Sequence, residues 1–150
     1  MKVFVDTNVV IDYMLQREHS DMAKKVIDRL LDSCEELFIS SGSFYTLLYV
    51  IDKHLRKEFR MEKTVRLAFV RSVAHGILKD YRVAAHDNET LLRSIDDLRF
   101  SDLEDSCQFQ AAIAAGCDYL LTFNTGDYPA KAEQKPVVLT PEEFYDDVLC

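Results

Sequence analysis

The chain has 150 residues, of which 48% are hydrophobic and 29% charged. That is enough apolar side chain to bury a core, and it excludes a disordered chain. Eighteen basic residues against 26 acidic ones leave a net charge of −8, which excludes a protein that grips nucleic acid through a globally basic surface.

An acid at Asp6 interrupts the N-terminal apolar stretch where a secretory signal would need continuity, and no apolar run approaches a membrane span. These features predict a cytoplasmic protein of one domain, residues 1–150, with no membrane partner. Cys34, Cys107, Cys117 and Cys150 are scattered without a Cys-x-x-Cys pair, so neither a disulfide framework nor structural zinc is expected. His19, His54, His75 and His86 have no helical metal-pair spacing and read as surface or edge residues.

Short apolar runs alternate with helical patterns. Val3–Val5 reads as a buried strand, followed by helices over residues 8–15 and 21–31, the latter with Ala23, Val26, Ile27, Leu30 and Leu31 at helical spacing. Leu37–Ile39 is a second strand. A helix over 43–55 follows, with Leu47, Leu48 and Ile51 on one side. The next helix, 62–76, carries Val65, Phe69 and Val73 and is expected to stop at Gly76. Tyr81–Val83 is a weaker strand and 88–98 a helix. Ser101 and Glu104 have the capping-box spacing and open an alanine-rich helix over 102–115 that Gly116 closes. Tyr119–Thr122 and Val137–Leu139 are the last strands. Thr140-Pro141-Glu142-Glu143 forms a second capping box, from which a helix runs to the C-terminus. Strands apolar throughout and separated by helices predict an α/β fold, a parallel sheet covered on both faces.

In such sheets function gathers at the carboxyl ends of the strands. Asp6 directly follows the first strand, although taken alone it reads as a helix cap. Asp105 shares a helix face with Asp102, Phe109 and Ala112; Glu104 is explained by its cap. Asp127 lies in the turn after the fourth strand, beside Asn124 and Gly126. The sheet brings these three acids towards one rim. Clustered carboxylates repel unless a cation neutralises them, and hard oxygen ligands without nearby His or Cys point to Mg²⁺ or Mn²⁺. Such an ion suits phosphodiester hydrolysis, since it lowers the pKa of a bound water and stabilises charge on the phosphate.

The stretch Val3-Phe4-Val5-Asp6-Thr7-Asn8-Val9-Val10-Ile11-Asp12 resembles the opening of PIN domains. Leu103 to Gln108, with Ala111-Ala112 and Gly116 to Tyr119, resembles their central acidic helix and the following strand. Leu121 to Tyr128 resembles their last acidic loop. The resemblance implies a three-layer α/β/α sandwich with a central, mostly parallel sheet. It also implies a metal-dependent ribonuclease, commonly the VapC-type toxin of a toxin–antitoxin pair and often a homodimer. By that resemblance Asp6 and Asp105 are metal ligands, and Asp127 binds a second metal or orients water. Thr7, Asn8, Thr122 and Asn124 are the supporting polar residues, and the RNA product ends are a 5′-phosphate and a 3′-hydroxyl. The family usually carries a glutamate where this chain has Thr46, which weakens the expected metal site; Asp102 or Glu104 are the candidate substitutes. Loss of that acid also admits a degenerate PIN domain that binds RNA or protein without cutting.

The strand-plus-Asp opening also resembles haloacid-dehalogenase phosphatases, but Asn8 stands where their second aspartate would be. Receiver domains need a lysine after the last strand, where this chain has Thr140-Pro141. Lys53, Arg56, Lys57, Arg60 and Lys63 form the one local basic run, which reads first as a solvated helical face and second as a groove wall for RNA. Tyr13, Tyr45 and Tyr49 read as core or interface before they read as base-stacking groups. The same holds for Leu47, Leu48, Leu67 and Val70, with a dimer or antitoxin surface as the second reading.

Overall fold

The computed structural model describes residues 1–33, 35–129 and 134–150; Cys34 lies outside them. Five strands form one sheet: β1 (Lys2–Val5), β2 (Glu36–Ser40), β3 (Tyr81–Ala84), β4 (Tyr119–Leu121) and β5 (Val137–Leu139). Their spatial order is β3-β2-β1-β4-β5, and all four pairings are parallel. Seven helices among the described residues connect and cover them: α1 (Thr7–Leu15), α2 (Ser20–Asp32), α3 (Ser41–Glu58), α4 (Lys63–Asp80), α5 (Asn88–Asp96), α6 (Leu103–Ala114) and α7 (Pro141–Phe144).

Period-two alternation of apolar residues on both faces explains why the strands carry no polar stripe. Val3, Val5, Leu37, Ile39 and Leu121 point to one face, where α1, α2, α3, α4 and α7 pack with Val9, Ile27, Leu47, Ile51 and Phe144. Phe4, Phe38 and Leu120 point to the other face, against Phe109, Ala111 and Ala112 of α6. α5 packs on α6. The expected three-layer α/β/α sandwich is therefore present. The strand order reverses at β1, between β2 and β4, and in open parallel sheets the carboxyl edge at such a switch point is where function gathers.

Three local expectations are corrected. Gly76 does not end a helix: α4 continues to Asp80 and leads directly into β3. The glycine sits in open space on the helix surface, with no need of a left-handed conformation. The face of α4 is also different. Val70 and Ile77 reach the core and Val73 is partly buried against it as expected, while Val65 and Phe69 are exposed, because apolar residues occur on several sides of α4. Finally, α6 is capped by Asp102 rather than Ser101. The Asp102 carboxylate accepts the backbone N–H groups of Glu104 (2.8 Å) and Asp105 (3.3 Å), and an anion serves a helix N-terminus well. Gly116 does follow the end of α6, at φ +70°.

The second capping box forms as read: Thr140 Oγ1 accepts the Glu143 N–H at 3.1 Å, and Glu143 Oε2 accepts the Thr140 N–H at 2.8 Å. α7 then widens into a looser helical turn over Tyr145–Leu149. Leu47 and Val70 are core residues, and Leu48 is partly buried against them, whereas Leu67 is exposed. Cys107, Cys117 and Cys150 are free thiols, and burial pushes the Cys117 thiol up to about 12, which makes it inert. No described helix is long and apolar enough to cross a membrane.

Candidate active site

Asp6 stands at the switch point. Its backbone N–H still donates to Leu121 O (2.9 Å), so β1 and β4 hold its position from both sides. Its side chain is 3% exposed. One carboxylate oxygen, Oδ1, accepts the Asn8 N–H (3.2 Å) and the Gln108 Nε2 amide (3.3 Å). The other, Oδ2, accepts the Thr122 hydroxyl at 2.8 Å and the Tyr128 hydroxyl at 3.5 Å. The cap reading of Asp6 is realised, and the same side chain stands at the carboxyl edge of the sheet.

A buried polar chain locks this arrangement. Gln108 Oε1 accepts the Thr7 N–H (3.2 Å) and the Thr7 hydroxyl (3.3 Å) while its amide holds Asp6. The Thr7 hydroxyl also meets Ser43 Oγ at 2.6 Å, and Ser43 meets Ser40 Oγ at 2.8 Å. Ser40 caps α3 through the Ser43 N–H. Each member is buried and partnered, so the network fixes α1, α3 and α6 relative to Asp6 rather than leaving unpaired groups.

Asp105 sits in the first turn of α6, half-buried and facing Asp6. The Tyr128 hydroxyl reaches its Oδ1 at 3.4 Å, so one phenol lies between two carboxylates. Burial, and then the charges of Asp6, Asp102 and Asp127, push the Asp105 carboxyl up to about 6; the Tyr128 hydroxyl opposes that only in part. Burial followed by Asp102 and Asp6 likewise raises Glu104. Burial and the two carboxylates push the Tyr128 phenol far up, which keeps it a hydrogen-bond donor at any working pH. No lysine, arginine or histidine forms an ion pair with Asp6, Asp102, Glu104, Asp105 or Asp127 among the described residues.

The remaining candidates occupy the rim. Asp127 is exposed in the short turn Thr125–Asp127 and acts on Asp105 through its charge. Asn124 is exposed, its N–H on Thr122 Oγ1 at 3.2 Å. Asp102 is committed to capping α6. Thr46, half-buried on α3, lies one turn beyond Ser43 and takes part in none of the described side-chain hydrogen bonds. Among the described residues no three Asp, Glu, His or Cys side chains stand close enough to share one ion directly. Asp6 and Asp105 are the close pair, and Asp127 is peripheral.

Gln108, Tyr128, Ser40 and Ser43 are site residues that sequence reasoning did not single out. An amide three residues after Asp105, buried on an alanine-rich face, was the available signal for Gln108. The donors in reach are oxygens alone, and no cationic side chain among the described residues pairs with these acids. That donor set fits a hard divalent cation such as Mg²⁺ or Mn²⁺.

A buried aspartate at the switch point of a parallel sheet, paired with a helix-borne carboxylate and followed by an acidic turn after β4, is the arrangement expected of a PIN domain. The PIN domain family model matches residues 2–126, and the chain belongs to that family. It is also similar to Ribonuclease VapC1 of Aquifex aeolicus (strain VF5), with 30% identity over 145 residues, covering 95% of this chain and 92% of that protein.

Proposed function

We propose that the chain is a metal-dependent endoribonuclease whose working acids are Asp6, Asp105 and Asp127. The observation that carries this reading is the geometry of Asp6 and Asp105, two carboxylates joined by one phenol, with Asp105 raised to about 6 by burial first and by the neighbouring acids second, and no cationic side chain paired to the cluster among the described residues. A perturbed carboxyl of this kind is characteristic of functional sites. The likeness to a protein named as a ribonuclease supplies the substrate class.

In this reading Asp6 and Asp105 would hold Mg²⁺ or Mn²⁺, and Asp127 would join them or orient water. A bound divalent ion supplies positive charge at the attacked phosphate and lowers the pKa of its water. The chain's own residues do the positioning. Thr122, Gln108 and the Asn8 N–H fix the Asp6 oxygens; Thr7 and Ser43 fix Gln108; the Tyr128 hydroxyl sets the approach of Asp105 to Asp6. Water attacking the phosphorus in line would break the P–O3′ bond, its proton ending on the departing 3′-oxygen, so that the products are a 5′-phosphate and a 3′-hydroxyl.

The reading extends to a toxin with a small antitoxin partner, working as a homodimer in the cytoplasm. Exposed Leu92, Ile95, Leu98 and Leu103 on and after α5 favour a protein-covered surface. The test is cleavage of single-stranded RNA with Mg²⁺, with Mn²⁺ and with chelator. Cleavage with either ion that chelator abolishes is expected; no cleavage with either ion removes the proposal.

Thr46 favours the second reading, a PIN domain that binds without cutting. It brings a hydroxyl where the family usually has a carboxylate. One helical turn separates it from Ser43 and hence from the network around Asp6. Restoring the charge with Thr46→Glu is expected to tighten Mn²⁺ binding about tenfold, since ligand charge sets affinity at such sites. Calorimetric titration measures it. Equal Mn²⁺ affinity in the two proteins would place residue 46 outside the metal site.

A further inference from the structure

The outer face of α3 carries a pattern that the acid site does not use. Tyr45, Tyr49, Lys53 and Arg56 recur at helical spacing along one stripe, opposite the buried Ser43, Leu47, Ile51 and Leu55. Tyr45 is 71% exposed and Tyr49 62% exposed, so neither is core; Tyr13, by contrast, is half-buried, its hydroxyl on Asp28. Lys53 Nζ lies 5.9 Å from the Tyr49 ring centroid. Lys57, Arg60 and Lys63 extend the cationic end.

Three acids lie beside or among these cations; Glu58 is exposed and takes part in none of the described ion pairs, and the other two are committed. Asp52 is bound to Arg66 at 2.7 Å, and Glu62 caps α4 through the Thr64 and Val65 N–H groups. Among the described residues none of Lys53, Arg56, Lys57, Arg60 or Lys63 is ion-paired. A chain of net charge −8 thus keeps a local cluster of uncommitted cations directly after two exposed aromatic rings.

The stripe also has a direction. α3 starts at the carboxyl edge, where Ser40 and Ser43 join its first turn to Thr7 beside Asp6, and Tyr45 opens the outer stripe in the second turn, on the side of the helix away from Ser43. From Tyr45 to Lys57 the helix rises about 18 Å. Exposed rings followed by cations match single-stranded nucleic acid, whose bases offer π-faces and whose phosphates seek Lys and Arg; a duplex hides its bases from such rings. A cluster of carboxylates repels a polyanion, so affinity has to come from elsewhere.

We propose that the exposed stripe of α3 is a track for single-stranded RNA, with bases stacked on Tyr45 and Tyr49 and phosphates on Lys53, Arg56 and Lys57, leading the backbone to Asp6 and Asp105. This rests on the ribonuclease reading and adds to it where the substrate lies and that it is unpaired. Fluorescence anisotropy with a labelled 12-nucleotide oligouridylate in chelator measures binding without cleavage. The double change Tyr45→Ala with Tyr49→Ala is expected to weaken binding tenfold or more, while Tyr→Phe at both positions retains it. Lys53→Glu with Lys57→Glu is expected to weaken binding and flatten its salt dependence. An RNA hairpin of equal length is expected to compete poorly.

Unchanged affinity in the double alanine variant overturns the track. So does unchanged affinity accompanied by a shift from dimer to monomer in sedimentation, which would make the stripe a protein interface. The two readings separate cleanly. Loss of binding in the stripe variants of a protein that cuts nothing with Mg²⁺ or Mn²⁺ upholds the track and removes the nuclease. Equal cleavage and equal KM in wild type and the double alanine variant do the reverse.

Discussion

Replacing Asp6 by asparagine is expected to lower RNA cleavage about a thousandfold, roughly 4 kcal/mol of transition-state stabilisation, with little loss of fold. The contrast follows from how Asp6 is held. Asparagine has nearly the same shape, and its carbonyl oxygen still accepts the Asn8 N–H or the Thr122 hydroxyl. With the oxygen at the Oδ1 position the capped start of α1 and the Gln108 contact survive, and the new amide donates to the Thr122 hydroxyl, at a cost of about 1 kcal/mol for that reversed contact. What is lost is the negative charge, the one property a divalent cation requires. Initial rates at saturating Mn²⁺ alongside thermal unfolding distinguish the cases. A variant that loses rate only because it unfolds would assign Asp6 to structure alone.

The parts of the molecule that the sequence reveals are those decided locally. Val3-Phe4-Val5 and Leu37-Phe38-Ile39 are recognisable because a strand covered on both faces has no polar positions. Thr140 to Glu143 is recognisable because a capping box closes within four residues. Asp6 and Asp127 stand out because each directly follows a strand or its turn. The errors arise where two local signals compete: Ser101 has the capping-box spacing, but Asp102, one residue later, brings charge to the helix N-terminus and takes the cap. Gly76 resembles a stop, yet helical hydrogen bonding continues through it to Asp80 because no turn there needs a left-handed residue.

Gln108 and Tyr128 were invisible for a different reason. Their roles are defined by partners far along the chain: Gln108 contacts Asp6 and Thr7 across more than a hundred residues, and Tyr128 joins Asp6 to Asp105. A glutamine on a helix and a tyrosine after an aspartate have no spacing that announces this. Tyr45 and Tyr49 are the converse case. Their positions are plain, but only burial distinguishes an exposed ring from a core ring.

Asp105→Asn is expected to stabilise the metal-free protein at neutral pH, and the effect is expected to vanish in acid. The folded protein holds the Asp105 carboxyl at about 6, above the 3.8 of an unfolded chain. Below pH 4 the group is protonated in both states and carries no penalty. As the pH rises towards 6 the unfolded chain releases its proton first, so folding stability falls across that window and stays lower above it. The full shift would correspond to about 3 kcal/mol, and the partial exposure of Asp105 reduces this to about 1–2 kcal/mol. Asparagine removes the penalty, so in chelator at pH 7.5 its melting temperature should exceed that of wild type by about 2–6 °C, with the two curves meeting below pH 4. Mn²⁺ should then reverse the order, raising wild type by mass action and leaving Asp105→Asn nearly unmoved. Wild type melting above the variant in chelator at pH 7.5 would mean that neither burial nor the neighbouring acids penalise the Asp105 carboxylate. Absence of the reversal would mean that this penalty is not what a cation relieves.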